Sequence, residues 1–141
     1  MFSKEESRKL REEFWIAFGK SFPRKWLLYK TGIKGINLKF HFDLKKAVVS
    51  LDIEGDLEQR IENWEKLISL KSILLGEFLP KAIFEDDYVL ENGKEISRIL
   101  VEKEGVSIHN KNTWQETMVF FYENMSLLEE FFKAYEDIIR N

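Results

Sequence analysis

The sequence predicts an α+β fold: an antiparallel sheet made of two hairpins, in the order α-ββ-α-ββ(β)-αα, with helices packed on it. Three observations carry this. Segments 36–43 and 47–54 alternate apolar and polar residues with period two, the pattern of paired strands with one buried face. A second pair of strand-like segments, from about Ala82 to Val101, brackets Asn92-Gly93, where both residues tolerate positive φ and favour a tight turn. The stretches between and beyond repeat apolar residues every three or four positions, the helical period.

The first helix opens at Ser3, with Glu6 three residues on, a capping box. Leu10, Phe14, Phe18 and Phe22 form its apolar stripe, with Trp15 beside it, and Pro23 ends it. The glycine-rich segment Tyr29-Lys30-Thr31-Gly32-Ile33-Lys34-Gly35 turns the chain into the first strand. Ile36, Leu38, Phe40 and Phe42 share one face of that strand, and Ala47, Val49, Leu51 and Ile53 one face of the next, across a turn around Leu44-Lys45-Lys46. Asp56 caps the second helix, whose expected apolar face is Leu57, Ile61, Trp64, Ile68 and Leu75, broadened by Leu67, Leu70 and Leu74, with Gly76 as its C-terminal cap. A two-residue loop at Asn92-Gly93 sets Asp87 opposite Arg98, Tyr88 opposite Ser97 and Phe84 opposite Val101, and makes Asp87–Arg98 a structural pair. Val106-Ser107-Ile108 is an optional fifth strand. Thr113 with Glu116 and Ser126 with Glu129 read as two further capping boxes, which open either an antiparallel helix pair or one bent helix. The pieces form one sheet of four or five strands, or two hairpins held separately by helices.

The 141 residues suit one domain, 1–141, without repeat or linker. Apolar residues at 44% and charged residues at 33% fit a globular chain that stays in water. No apolar run is long enough to cross a membrane, and Phe2-Ser3-Lys4-Glu5-Glu6 is already polar, so neither a membrane partner nor a secretory leader is expected. The absence of cysteine removes disulfides, thiolate zinc sites and a cysteine nucleophile, and agrees with a cytoplasmic setting.

The segment 29–35 entering a hairpin, Ile96-Ser97-Arg98-Ile99 in the fourth strand, and Gly105-Val106-Ser107-Ile108 with Trp114 beyond it resemble an uncharacterised bacterial and archaeal family, a domain of unknown function. The resemblance spans nearly the whole chain. It implies that the domain occurs alone or C-terminal to a restriction-endonuclease-like segment, which points by association toward nucleic-acid defence. It brings no activity and no catalytic residue.

Metal-dependent nucleases place an acid and an acid–X–Lys triplet on adjacent strands to hold magnesium and orient water. The one such triplet here, Asp43-Leu44-Lys45, sits on a turn. Asp52 and Glu54 share a strand face and are the candidate half of a metal site. His41 and His109, the only histidines, have no zinc spacing, and no G-x-S-x-G elbow is present. Segment 30–35 lacks both phosphate-loop fingerprints, so no cofactor is expected.

Charge is segregated along the chain. Residues 20–46 carry eight basic groups and one acidic, and residues 47–104 carry seven basic and fourteen acidic. Arg24, Lys25, Trp26, Tyr29, Lys30, Lys34, Lys39 and His41 mix cations with aromatic rings, as single-stranded nucleic acid requires. The same cations can instead neutralise the acidic segments or meet an acidic partner. Phe120, Phe121, Phe131 and Phe132 cannot all face one core and suggest cover by a second chain. The sequence therefore points first to a non-enzymatic protein-interaction or assembly module, self-association included. Nucleic-acid binding through 20–46 comes second, and a divergent metal nuclease third.

Overall fold

The computed structural model describes residues 2–141. Helix α1 (Lys4–Ser21) leads through a long connector to β1 (Ile36–Phe42) and β2 (Lys46–Ile53). Helix α2 (Leu57–Ser69) follows, then the short α3 (Lys71–Ile73), a π turn (Leu74–Phe78), β3 (Ile83–Val89) and β4 (Glu95–Glu104). A 3-10 turn (Lys111–Thr113), α4 (Trp114–Ala134) and α5 (Glu136–Arg140) close the chain. All four strands form one antiparallel sheet in the order β1-β2-β4-β3, so the expected α+β fold forms with its hairpins joined through β2 and β4.

Local chemistry sets most of these boundaries. The Ser3–Glu6 capping box closes in both directions at 3.1 Å, and Asp56 accepts the Gln59 amide at 2.9 Å. In the first hairpin Asp43 accepts the amides of Lys45 and Lys46, and Ile36↔Ile53 through Phe42↔Ala47 keeps the apolar faces together. That face packs against Phe14, Phe18, Met118, Phe121, Met125 and Leu128. Phe14 alone meets the rings of Trp15, Phe18, Phe42, Trp114 and Phe121 within 6.3 Å, so truncating it to Ala removes about 3–5 kcal/mol.

Several expectations change. The Asp87–Arg98 pair does not form. The hairpin loop holds three residues, because Leu90 bonds the Lys94 carbonyl at 2.8 Å and Gly93 takes φ +85°. A bulge at Asp86-Asp87 then shifts the register again, so Arg98 faces Glu85, Phe84 faces Ile99 and Tyr88 faces Ile96. Arg98 Nε donates to Glu85 at 2.6 Å, while Asp87 accepts from Arg60 at 2.7 Å. Val106-Ser107-Ile108 is not a strand; Val106 and Ile108 are buried plugs, and the Ile108 amide ends on the Asp43 carbonyl. Gly76 caps nothing, since the π turn carries the helical path to Phe78. The chain from Trp114 to Ala134 is one helix, so Ser126 is not a cap, and Thr113 makes no side-chain cap bond.

The largest correction concerns α2. Its core side is Arg60, Asn63 and Leu67, continued by Leu70 and Leu74, while Leu57, Ile61 and Ile68 of the expected face are 63%, 47% and 40% exposed. Polar anchors fix this rotation: Asn63 reaches the Lys34 carbonyl and Arg60 reaches Asp87. Two apolar rows compete for the core, and the Leu67–Leu70–Leu74 row wins it.

Candidate interaction surfaces

Three surfaces hold the candidate binding and metal residues and the outward side of α2: the 22–35 connector, the sheet face away from the core, and the shoulder where α2 meets β3.

The connector is strapped down. Arg24 donates to buried Glu129 at 2.9 Å and to Ser126 at 2.6 Å, and its guanidinium lies 4.4 Å from the Trp26 ring centroid. Glu129 also accepts the Leu27 amide at 2.7 Å. Trp26 stacks on Phe18 and is half buried. Leu28 takes φ +45°, a strained value for a branched residue, and its carbonyl accepts the Leu38 amide, covering part of the β1 edge. Thr31, buried, bonds the carbonyl of Ile36, and Arg140 bonds that of Gly32. Segment 30–35 is thus a wound, pinned turn. Of the eight candidate anion-binding residues, Arg24 and Lys39 have carboxylate partners, and His41 is 2.8 Å from Asp43. Trp26 serves the core. Lys25, Lys30 and Lys34 are exposed and make no ion pair among the described residues, and Tyr29 is 72% exposed.

On the second sheet face, Lys39 Nζ lies 3.3 Å from Asp52 and 3.6 Å from Glu54. Glu54 also accepts from Asn37 at 2.9 Å and Lys94 at 3.2 Å. Burial pushes the Glu54 carboxyl up, but these two hydrogen bonds and the Lys39 and Lys94 charges prevail and hold it below its ordinary value. Burial works against the Lys39 charge, and Asp52 and Glu54 overcome it, so its pKa is raised. The Asp52 side chain is 5% exposed, and its Oδ1 has no protein hydrogen-bond partner. Arg98, directly across from it, has turned to Glu85 and lies 3.4 Å above the Tyr88 ring centroid. The expected half metal site is therefore a carboxylate pair sharing one ammonium, and a divalent cation would have to displace Lys39. No group of three His, Asp or Glu side chains suited to a metal occurs among the described residues.

His109 lies in the turn that follows β4 and is partly buried. It sits 2.7 Å from Ser7 Oγ and tilts against Phe2 at 4.3 Å between ring centroids, with no acid on its other nitrogen among the described residues. Its geometry is a tie between the 105–110 segment and α1. Ser7 and Glu129 carry no sequence signal for these roles, because their partners lie about a hundred residues away.

On the third surface, Leu57, Ile61 and Ile68 form a stripe with half-buried Trp64, whose ring lies 5.9 Å from that of Phe84 in β3. β3 is an edge strand and is bulged. Phe121, Phe131 and Phe132, expected in part to need a second chain, are fully covered within this one, and Phe120 is half buried. Exposed apolar side chains lie on α2, at Leu57, Ile61 and Ile68, and also elsewhere, Trp15 and Ile16 of α1 among them.

These features define an α+β domain with a helix-covered sheet face, a pinned basic strap and an apolar shoulder beside an acidic edge strand. Residues 10–136 match the family described as Domain of unknown function (DUF4268), and the chain belongs to that family. No curated protein and no solved structure matches it. No helix among the described residues is long and apolar enough to cross a membrane.

Proposed function

We propose that this chain is a binding module that docks a protein partner on the α2–β3 shoulder and performs no chemistry of its own. One observation carries the reading: α2 turns Leu57, Ile61 and Ile68 outward while burying Arg60 and Asn63, the reverse of what burial alone favours. The groups that resemble a reactive centre are engaged in holding the fold: Asp52 and Glu54 by Lys39, and Ser7 by His109. Placing a photo-crosslinking residue at Ile61 and, separately, at Ile16 of α1 tests it in cells that express the chain. A discrete adduct at 61 that disappears on Ile68→Glu supports the module. Equal labelling at both positions, or none, contradicts it.

Exposed Tyr29, with Lys25, Lys30 and Lys34 unpaired beside it, favours a second reading, single-stranded nucleic-acid binding at the strap. Three of the eight basic groups of 20–46 pair with acids, Arg24, Lys39 and Lys46, the last with Glu102 at 3.1 Å, which leaves a smaller positive surface than the sequence promised; His41–Asp43 adds a further local contact. Oligonucleotide binding that weakens steeply with salt and falls on Lys30→Glu/Lys34→Glu supports this reading; binding that ignores salt contradicts it.

A further inference from the structure

The α2 stripe lies on the β3 side of its helix. Arg60 reaches Asp87, and Trp64 and Lys71 meet the Phe84 ring at 5.9 and 5.0 Å. At 3.6 residues per turn, Leu57, Ile61 and Ile68 project immediately beside those three. The stripe therefore overhangs the free edge of the sheet. Val89, opposite Glu95 and exposed, continues it on the helix-bearing side.

Acidic groups flank this strip on both sides. Glu58, Glu62 and Glu65 follow the outer shoulder of α2, and Glu85, Asp86 and Asp87 occupy β3. Of the nearby cations, Arg60 pairs with Asp87, Lys66 with Glu62 and Arg98 with Glu85, while Lys71 makes no ion pair among the described residues and lies over the Phe84 ring. Glu58, Glu65 and Asp86 have no ion-pair partner among the described residues.

Three occupants can be weighed on this chemistry. An added strand meets a bulged edge studded with carboxylates, the features that block edge pairing. A second copy placed by a two-fold axis brings Glu65, beside the midpoint of the stripe, and the acidic strand toward their own duplicates. A second copy offering its basic strap makes a head-to-tail contact that does not close. A helix needs no ladder, fits a linear apolar strip, and gains from cations on both flanks. We infer that the α2–β3 shoulder docks a basic amphipathic helix of a different protein. Its apolar face lies on Leu57, Ile61 and Ile68, and its Lys or Arg residues meet Glu58, Glu65 and Asp86. The inference rests on the interaction reading above and names its partner class.

The test uses two synthetic helices of roughly 18 residues with one identical leucine face, flanked by lysine in one and by glutamate in the other. Both are titrated into the full chain by fluorescence anisotropy, with amide shifts mapping the contact. The lysine peptide binds about tenfold tighter or better, loses affinity as salt rises, and shifts amides of 57–71 and 83–89. Ile61→Glu weakens it about tenfold or more, and Glu58→Lys/Glu65→Lys, both on the exposed helix face, transfers the preference to the glutamate peptide. Equal binding of both peptides, or shifts elsewhere, overturns the basic-helix assignment. A wild-type dimer in sedimentation that Ile61→Glu dissociates also overturns it, while keeping the interaction reading. Absence of peptide binding, self-association and crosslinking at 61 overturns both.

Discussion

Lys39 shows how single residues hold the sheet face away from the helices. Its ammonium serves Asp52 and Glu54 together, and the Asp52 carboxylate is almost wholly removed from water. Lys39→Met leaves that charge without its cation and lowers stability in urea by about 2 kcal/mol or more, and adding Asp52→Asn recovers part of the loss. The pH dependence follows from the same cluster. Glu54 titrates below its ordinary 4.5 in the fold, so it binds fewer protons than the unfolded chain near that pH. Its stabilising contribution is fully present above 4.5 and is lost as pH falls through the depressed value. Lys94→Ala, which deletes one bond and one charge, moves the Glu54 titration in a side-chain NMR experiment back toward 4.5. At this scale little was legible in the sequence. The shared strand face of Asp52 and Glu54 was visible from their spacing, but the long-range choice of Lys39, rather than a metal, as their cation was not. Glu129 read as a helix cap because Ser-x-x-Glu occurs inside helices as well as at their starts.

Among the elements, period and capping chemistry located both hairpins and the first two helix starts, because each depends on neighbours within four residues. Register in the second hairpin failed for a physical reason: Asn92-Gly93 accommodates two- and three-residue loops, and nothing local announces the bulge at Asp86-Asp87. Glycine supplies a direct comparison between elements. Gly35 has φ +87°, and an added Cβ would lie 2.7 Å from the Glu54 carbonyl oxygen, at the junction of the strap with β2. Gly93 has φ +85° with nothing near it. Gly93→Ala therefore costs about 1 kcal/mol from backbone conformation alone, and Gly35→Ala about 2 kcal/mol or more, because the strand end must also move. Equal losses in parallel urea titrations would show that the contact at Gly35 relaxes freely.

For the molecule as a whole, the sheet order follows from joining two recognisable hairpins, but the rotation of α2 does not follow from its sequence. That helix carries two apolar rows, and only the positions of Lys34 and Asp87, supplied by distant elements, decide which row enters the core. The charge segregation was read correctly as composition, while its spatial meaning changed: Arg24 fastens the strap, Lys39 and Lys46 pair on the sheet, and the acidic segment flanks the exposed stripe. The central claim is that this stripe stands outside the folding core and is free for a partner. Urea unfolding of Ile61→Ser/Ile68→Ser at two protein concentrations tests it most directly. The account predicts a stability within about 0.5 kcal/mol per site of the parent and a midpoint independent of concentration. A loss of several kcal/mol, or a parent midpoint that rises with concentration and falls in the variant, would show that the stripe is already buried by the chain or by its own copy.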